Sequence, residues 1–506
     1  MWPTTYSLLQ HPIGNPLIAF LYALSTAVLT IYGMNLLWLA FTFVRKSRLR
    51  TGSVPSPDSH PPMDQEWPEV TIQLPLYNEP LVAERLIDAC ARINYPGKKL
   101  EIQVLDDSTD ETVGIVAERT AYWQKQGLDI IQVHRENREG YKAGALKNGL
   151  RIARGSLIAI FDADFLPEPD FLLKTIPHFS DPQIGLVQGR WGHINANHSL
   201  LTKIQAFGLD AHFALEQFVR NRAGYFMNFN GTAGVWRRTC IEAGGNWSSD
   251  TLAEDLDLSY RAQLKSWKFI YLDDVEVPAE LPIDMPALRT QQFRWTKGAA
   301  EAAFKLMKRL WNSSFSLDTK IEGTFHLTGP FVFPFVLLVT LLHVPILMLE
   351  HAGFDGPSEL YFGLLGIGLL GFIGFFLAQL FAQRALYPNW LRRVFFFPFF
   401  MAGTMGMALS NTGALFEAIR GKKTAFVRTP KYNTASPSSI KQTKITKRRR
   451  QISFIVLLEA LFALYSIAGL ALVIIYGEWA AVPFQALFAL GFGLVTVFNV
   501  KHLFFR

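Results

Sequence analysis

The sequence predicts an α/β domain with a largely parallel sheet, set between membrane-spanning helices. Three observations predict it: strands alternating with helices between Val70 and Phe161, acidic residues at the strand ends, and apolar stretches of membrane length on both sides. With 506 residues, 50% of them hydrophobic and 41 of them Phe, the chain exceeds one average domain and is too apolar for an ordinary soluble protein.

A bilayer-spanning helix needs about 20 mainly apolar residues. Pro16–Val44, Leu327–Leu349, Leu360–Ala382, Ile452–Tyr476 and Pro483–Val500 meet that need, the third being rich in glycine and the fourth carrying Glu459. Lys and Arg favour the cytoplasmic side of short loops. Arg45, Lys46, Arg48 and Arg50 follow the first span, which places the N-terminus outside and the next domain inside. The loop His351–Glu359 has acids and no Lys or Arg, so it faces out; Arg384, Arg392, Arg393, Arg420, Lys422, Lys423 and the cluster Lys447–Arg450 face in. Val394–Ser410 has cytoplasmic flanks on both sides and reads as an interfacial or re-entrant segment, covered by protein where its helix breaks. The expected topology is five spans with the C-terminus inside. That makes an integral membrane protein, of the plasma or inner membrane, with the α/β domain cytoplasmic.

A cleaved signal peptide is a poorer reading of the N-terminus, because the apolar stretch is too long and its basic cluster follows rather than precedes it. Cys90 and Cys240 are far apart and lack metal-ligand spacing; they read as buried, reduced, small apolar residues. The net charge of +7 sits largely beside the spans, where anionic lipid explains it, so no nucleic-acid partner is expected. Residues 1–50 form the first span and its basic flank, 51–67 a linker, 68–310 the α/β domain with an interfacial helix, and 325–506 a membrane domain of four spans and an interfacial segment. Thr429–Ser439, rich in Pro, Ser and Thr, reads as a linker with the basic tail Lys441–Arg450.

Within the domain, Val70–Leu74 reads as a buried strand ending at Pro75-Leu-Tyr-Asn-Glu79, followed by a helix over Leu81–Ile93. Glu101–Leu105 is the next strand, with Asp106-Asp-Ser-Thr-Asp110 at its C-terminal end, then a helix over Glu111–Gly127 and a strand at Ile130–Val133. Tyr141–Ala153 reads as a helix and Leu157–Phe161 as a strand ending at Asp162-Ala-Asp164. This alternation implies a largely parallel sheet, and ligands of such sheets bind beyond the carboxyl ends of the strands.

Asp162 and Asp164 follow an apolar strand directly, so one can hold Mg²⁺ or Mn²⁺ and the other a ribose hydroxyl; a carboxylate plus substrate phosphates is the usual magnesium arrangement. Asp106 and Asp107 can accept from a base or ribose, or simply cap a turn. Lys142, at a helix start, suits phosphate or base. Phe229-Asn-Gly-Thr-Ala-Gly234 suits close approach of backbone to a ligand, or a tight turn. Glu254-Asp255 opens a helical stretch, where Asp255 is either a capping acid or a base for an acceptor hydroxyl. Downstream, Gln291, Arg294 and Trp295 stand in Leu288-Arg-Thr-Gln-Gln-Phe-Arg-Trp-Thr-Lys-Gly298, and Trp295 offers a flat face to a sugar ring. Metal-holding carboxylates, a further acid and an Arg beside a Trp are what sugar transfer from a nucleotide diphosphate needs.

In this order the segments resemble the processive family 2 glycosyltransferases of the cellulose-synthase superfamily, above all the cellulose-synthase-like mannan and glucan synthases. The residues that carry the likeness are Gln103–Asp110, Gly140–Leu146 with Phe161–Phe165, and Phe229–Trp236 with Glu254-Asp255 and Gln291–Trp295. The resemblance implies a GT-A (Rossmann-like) fold and inverting transfer. Asp106, Asp107 and Lys142 would line the nucleotide pocket, supported by Asp162. Asp164 would bind the metal, and Asp255, beside Glu254, would act as base. Gln291–Trp295 would lie at the mouth of an acceptor channel, with Arg294 and the metal stabilising the leaving diphosphate. The usual Thr-Glu-Asp is Ala253-Glu254-Asp255 here, which removes a hydroxyl contact. Control by a cyclic-dinucleotide-binding domain is not expected within this chain. The expected partners are a nucleotide-sugar donor (UDP-glucose or GDP-mannose), a glycan or lipid acceptor and the bilayer. A single-transfer glycolipid synthase is the competing enzyme reading, and a transporter or scaffold with a vestigial domain is the reading from another class.

Overall fold

The computed structural model describes residues 14–47, 67–351, 357–434 and 454–504. Residues 51–66 of the linker expected over 51–67, residues 352–356 of the loop expected over His351–Glu359, and the basic run Lys441–Arg450 lie outside the described residues.

Seven strands form one sheet: β1 Val70–Leu76, β2 Leu100–Asp106, β3 Ile130–His134, β4 Leu157–Ile160, β5 Ile184–His193, β6 Gly234–Arg237 and β7 Lys268–Ala279. Their order is β3-β2-β1-β4-β6-β5-β7. β1 pairs in parallel with β2 and β4, and β2 with β3, so all four carboxyl ends reach the same edge. In register, Leu76 faces Asp106. β6 runs antiparallel to β4 with Gly234 opposite Ile160. Its N-terminal end therefore meets that edge too and delivers the segment 229–233 there. β5 and β7 end at His193 paired with Ala279, on the same side. The expected parallel half is borne out; β5 to β7 extend it into a mixed sheet.

Side chains of β1, β2 and β4 are buried on both faces. β4 is wholly apolar, while the buried polar side chains of β1 and β2 pair across the strands, Thr71 Oγ1 donating to Glu101 Oε2 at 2.6 Å. One face packs on α1 (Ala83–Ala91) and α2 (Thr112–Lys125), the other on α3 (Tyr141–Ile152). Cys90 and Cys240 are buried free thiols, as expected.

Among the described residues five helices are long and apolar enough to cross a membrane: Pro16–Ser47, Leu317–Leu349, Gly366–Leu386, Phe454–Ile475 and Val482–Lys501. These agree with the five stretches read from the sequence, and the chain is an integral membrane protein. The glycines of the third have a packing reason. A Cβ on Gly374 would fall 1.9 Å from the carbonyl oxygen of Gly33, so the first and third spans meet backbone to backbone. The segment at 390–419 is a helix pair bent by 44°, in keeping with the broken element expected there. Between sheet and spans lies a 27-residue helix, α4 (Met285–Trp311), started by Asp284, whose side chain accepts from Ala287 N. It carries Gln291, Arg294 and Trp295.

Candidate active site

Two cavities meet beyond the strand ends. The first is a polar cleft of about 150 Å³, walled by Glu79, Asp107, Lys142, Asp162, Asp164, Gly231, Glu254 and Asp255, with Gln291, Arg294 and Trp295 on its far side. The second, about 570 Å³ and largely apolar, runs between α4 and the membrane helices, past Phe333, Phe400 and Phe498. Asp255, Gln291 and Trp295 border both. So do Trp191 and Asn230.

The structure brings together nine of the ten residues singled out from the sequence. Asp106 is the exception: it is fully buried beneath the strand end, accepting from Ser108 N at 2.9 Å and Gln132 Nε2 at 2.8 Å, and it does not reach the cleft wall. Its neighbour Asp107 does, gripped by Arg135 Nε at 2.7 Å and Nη2 at 2.5 Å. Strand alternation explains the split, because adjacent residues at a strand end point to opposite sides.

Lys142 is the hub of the acidic wall. Its Nζ lies 2.6 Å from Asp162 Oδ1 and 3.8 Å from Glu254 Oε1, and it donates to the Gly231 carbonyl at 2.8 Å. Burial works against its charge, yet Asp162, Glu254 and Asp255 together raise its pKa above the ordinary lysine value. The helix holding Asp255 begins at Glu254, two residues before the helical stretch Leu256–Leu264 read from the sequence. Asp255 therefore lies in the first turn and is not the cap, which is Ala253. Asp255 Oδ1 accepts from Leu256 N at 2.8 Å. Burial, then the adjacent Glu254 carboxylate, push its pKa up to about 7 against the pull of Lys142 and Arg294.

Asp164 is buried, and its Oδ2 holds Lys431 Nζ at 2.6 Å. Lys431 belongs to the stretch read from the sequence as a linker, 429–439, whose described part is instead a strap across the cleft. Phe426, Arg428, Thr429 and Lys431 all line it. The Arg294 guanidinium lies 4.6 Å from the Phe426 ring, Tyr432 OH donates to Asp284 Oδ2 at 2.9 Å, and Thr434 N donates to Glu280 Oε1 at 2.9 Å. Glu79 was also missed. Burial raises its pKa to about 7, with Asp164 and Asp162 adding to the rise and Arg428 and Lys431 opposing it. Phe-Val-Arg-Thr-Pro-Lys431 does place two cations around a Pro, but nothing local tells that Asp164, some 267 positions away, is their partner.

Among the described residues there is no ready-made cluster of three or more His, Cys, Asp or Glu able to hold a metal. The donor set fits a hard cation bound chiefly through substrate: the carboxylates of Asp164, Asp162 and Glu79 face one cleft, and the ammonium of Lys431 already rests on Asp164 as a stand-in cation.

Residues 68–298 match the sequence family described as "Glycosyltransferase like family 2". Over 452 residues the chain is 36% identical to "Glucomannan 4-beta-mannosyltransferase 7" of Arabidopsis thaliana, a match that covers 85% of this chain and 77% of that one. The chain belongs to glycosyltransferase family 2. A rice relative, "Glucomannan 4-beta-mannosyltransferase 1" of Oryza sativa subsp. japonica, is 40% identical over 338 residues, 63% of this chain and 64% of its own length. These relatives bear out the cellulose-synthase-like resemblance of this family 2 glycosyltransferase. Its fold matches "Mannosyltransferase PcManGT from Pyrobaculum calidifontis in complex with GDP-Man and Mn2+" with a TM-score of 0.54 at 19% identity, over 80% of this chain and all of that one. The GT-A fold expected of the glycosyltransferase is thereby established.

Proposed function

We propose that this glycosyltransferase transfers mannose from GDP-mannose, with inversion, to the end of a β-linked polysaccharide, and that the product leaves through the apolar cavity between the spans. The observation that carries the reading is the position of Asp255, on the boundary between the acidic cleft and the larger cavity beneath Trp295. A hydroxyl entering from the second cavity would reach Asp255 at that boundary, beside Gln291 and Trp295.

In this reading the acceptor hydroxyl attacks the anomeric carbon from the face opposite the diphosphate. The new C–O bond forms as the bond to the diphosphate breaks, its electron pair leaving with the nucleotide, and the hydroxyl proton passes to Asp255. A carboxylate whose pKa is near 7 is matched to that task. Glu254 and Lys142 set the charge around it, and Asp162 anchors Lys142. Asp107 faces the nucleotide, Arg294 the departing phosphates, and Gln291 with Trp295 the acceptor ring. Asp164 would hold a divalent cation (Mg²⁺ or Mn²⁺), which neutralises diphosphate charge when bound. The domain lies on the cytoplasmic side, since Arg45, Lys46, Arg384, Arg392 and Arg393 all flank spans on its side.

The names of the relatives favour mannose over glucose. The test supplies the purified full chain with labelled GDP-mannose or UDP-glucose and digests the product with linkage-specific glycosidases. A polymer cut by a β-mannanase supports the reading; a glucose polymer corrects the donor; a lipid-soluble monoglycoside replaces it with single transfer.

A further inference from the structure

Glu459 has no part in the chemistry above, yet it is fully buried in a helix of membrane-spanning length, α5 (Phe454–Ile475). At the α-helical rise it sits about 8 Å along the axis from the first residue of that helix. An ionisable group in such a helix is costly, and where it occurs it is paired and marks a functional position. Its partner is Arg289 of α4, whose Nη2 lies 2.7 Å from Oε1 and 2.6 Å from Oε2. Asn499 of α6 (Val482–Phe504) donates to Oε2 at 3.0 Å and to the Val495 carbonyl at 2.8 Å. Three helices therefore meet at one carboxylate.

What those helices carry gives the contact its meaning. At about 100° per residue, Gln291, Arg294 and Trp295 share one face of α4, and Arg289 lies more than about 100° round from each of them. The front face borders both cavities, while Arg289 borders neither. Val495 and Phe498, on the α6 turns beside Asn499, form part of the wall of the larger cavity. The carboxylate thus locks the back of α4 to the wall of the cavity that its front face helps to close.

We propose that Arg289, Glu459 and Asn499 are positioning residues for the acceptor: they fix the rotation of α4, and through it where Trp295 and Gln291 present a sugar ring to Asp255. The inference rests on the functional reading above. None of the three touches the nucleotide cleft, so their loss acts on acceptor use and spares donor binding.

The test uses the full chain in lipid nanodiscs, with Glu459→Gln, Glu459→Asp and the exchange Arg289→Glu with Glu459→Arg. In Glu459→Gln the KM for a short β-linked hexose oligomer is expected to rise about tenfold and the products to shorten, while nucleoside diphosphate affinity and thermal midpoint stay unchanged. Glu459→Asp and the exchanged pair restore most of the acceptor KM. An unchanged acceptor KM overturns the proposal, as does a parallel fall in acceptor use, nucleotide affinity and thermal midpoint, which marks mere packing. If the parent chain transfers no sugar, the functional reading fails and the positioning role is read without activity. For that, Gln291→Cys is labelled with a water-soluble maleimide against the background of two buried cysteines. A several-fold change in labelling rate on adding Glu459→Gln supports positioning, and an unchanged rate overturns it.

Discussion

Lys431 Nζ rests 2.6 Å from Asp164 Oδ2, so the carboxylate we propose as the metal ligand is held by a side chain of the chain's own strap. Both groups are largely buried, and a charge-assisted bond of this kind is stronger there than at a surface. In the proposed reading a cation at Asp164 competes with the ammonium for Oδ2. Lys431→Ala is therefore expected to tighten Mn²⁺ binding in the absence of nucleotide by about tenfold, or about 1.4 kcal/mol. Calorimetric titration of the nucleotide-free protein measures it. Equal Mn²⁺ affinity in parent and variant would mean that the metal binds elsewhere.

Asp255→Asn keeps the shape of the side chain and removes its basicity. Transfer is expected to fall by about 10²–10⁴-fold while nucleotide affinity stays within a few-fold, because the loss is confined to proton removal. Initial rates and equilibrium dialysis with the nucleoside diphosphate separate the two. A variant as active as the parent removes Asp255 as the base.

The raised pKa of Asp255 also dictates a direction with pH. Protonation as pH falls through about 7 removes the proposed base, so the rate should rise with pH through that value and level off above it. Glu79, raised to about 7 by burial, titrates in the same window and needs its own control. Glu79→Gln is expected to keep the acid limb and Asp255→Asn to lose it. A limb that persists unshifted in Asp255→Asn belongs to another group.

Much of this was legible in the sequence for a physical reason. Strand and helix periods, apolar lengths and acids at strand ends are local signals, and they located β1 to β4 and the five spans; of the ten site residues they named, nine line the cleft. What escaped depends on long-range pairing. β6 is only four residues long, too short for a period to show, and it reaches the sheet by pairing with β4 and β5. The strap looked like a linker because Pro, Ser and Thr are as suited to a solvated loop as to an ordered one. Asp106 stands apart from the cleft for a finer reason: which of two adjacent acids faces it depends on the phase of the strand, and the motif alone does not state it.

Gly231 offers the sharpest check on the geometry of the acidic wall. Its φ is +81°, and a Cβ there would stand 3.0 Å from Asp255 Oδ2 and 3.2 Å from Lys142 Nζ. Gly231→Ala thus meets two penalties, a left-handed backbone that costs an L-residue about 1 kcal/mol and a methyl wedged between the proposed base and Lys142. The first is small enough for the protein to stay folded. The second must push Asp255 or Lys142 aside, and a shift of about 1 Å in a reacting group costs roughly 10²-fold in rate. A loss of that order, with a thermal midpoint lowered only slightly, is the expected outcome in kinetics and melting measured side by side. Full activity in Gly231→Ala would show that Asp255 and Lys142 do not need their present spacing, and the base would have to be sought elsewhere in the cleft.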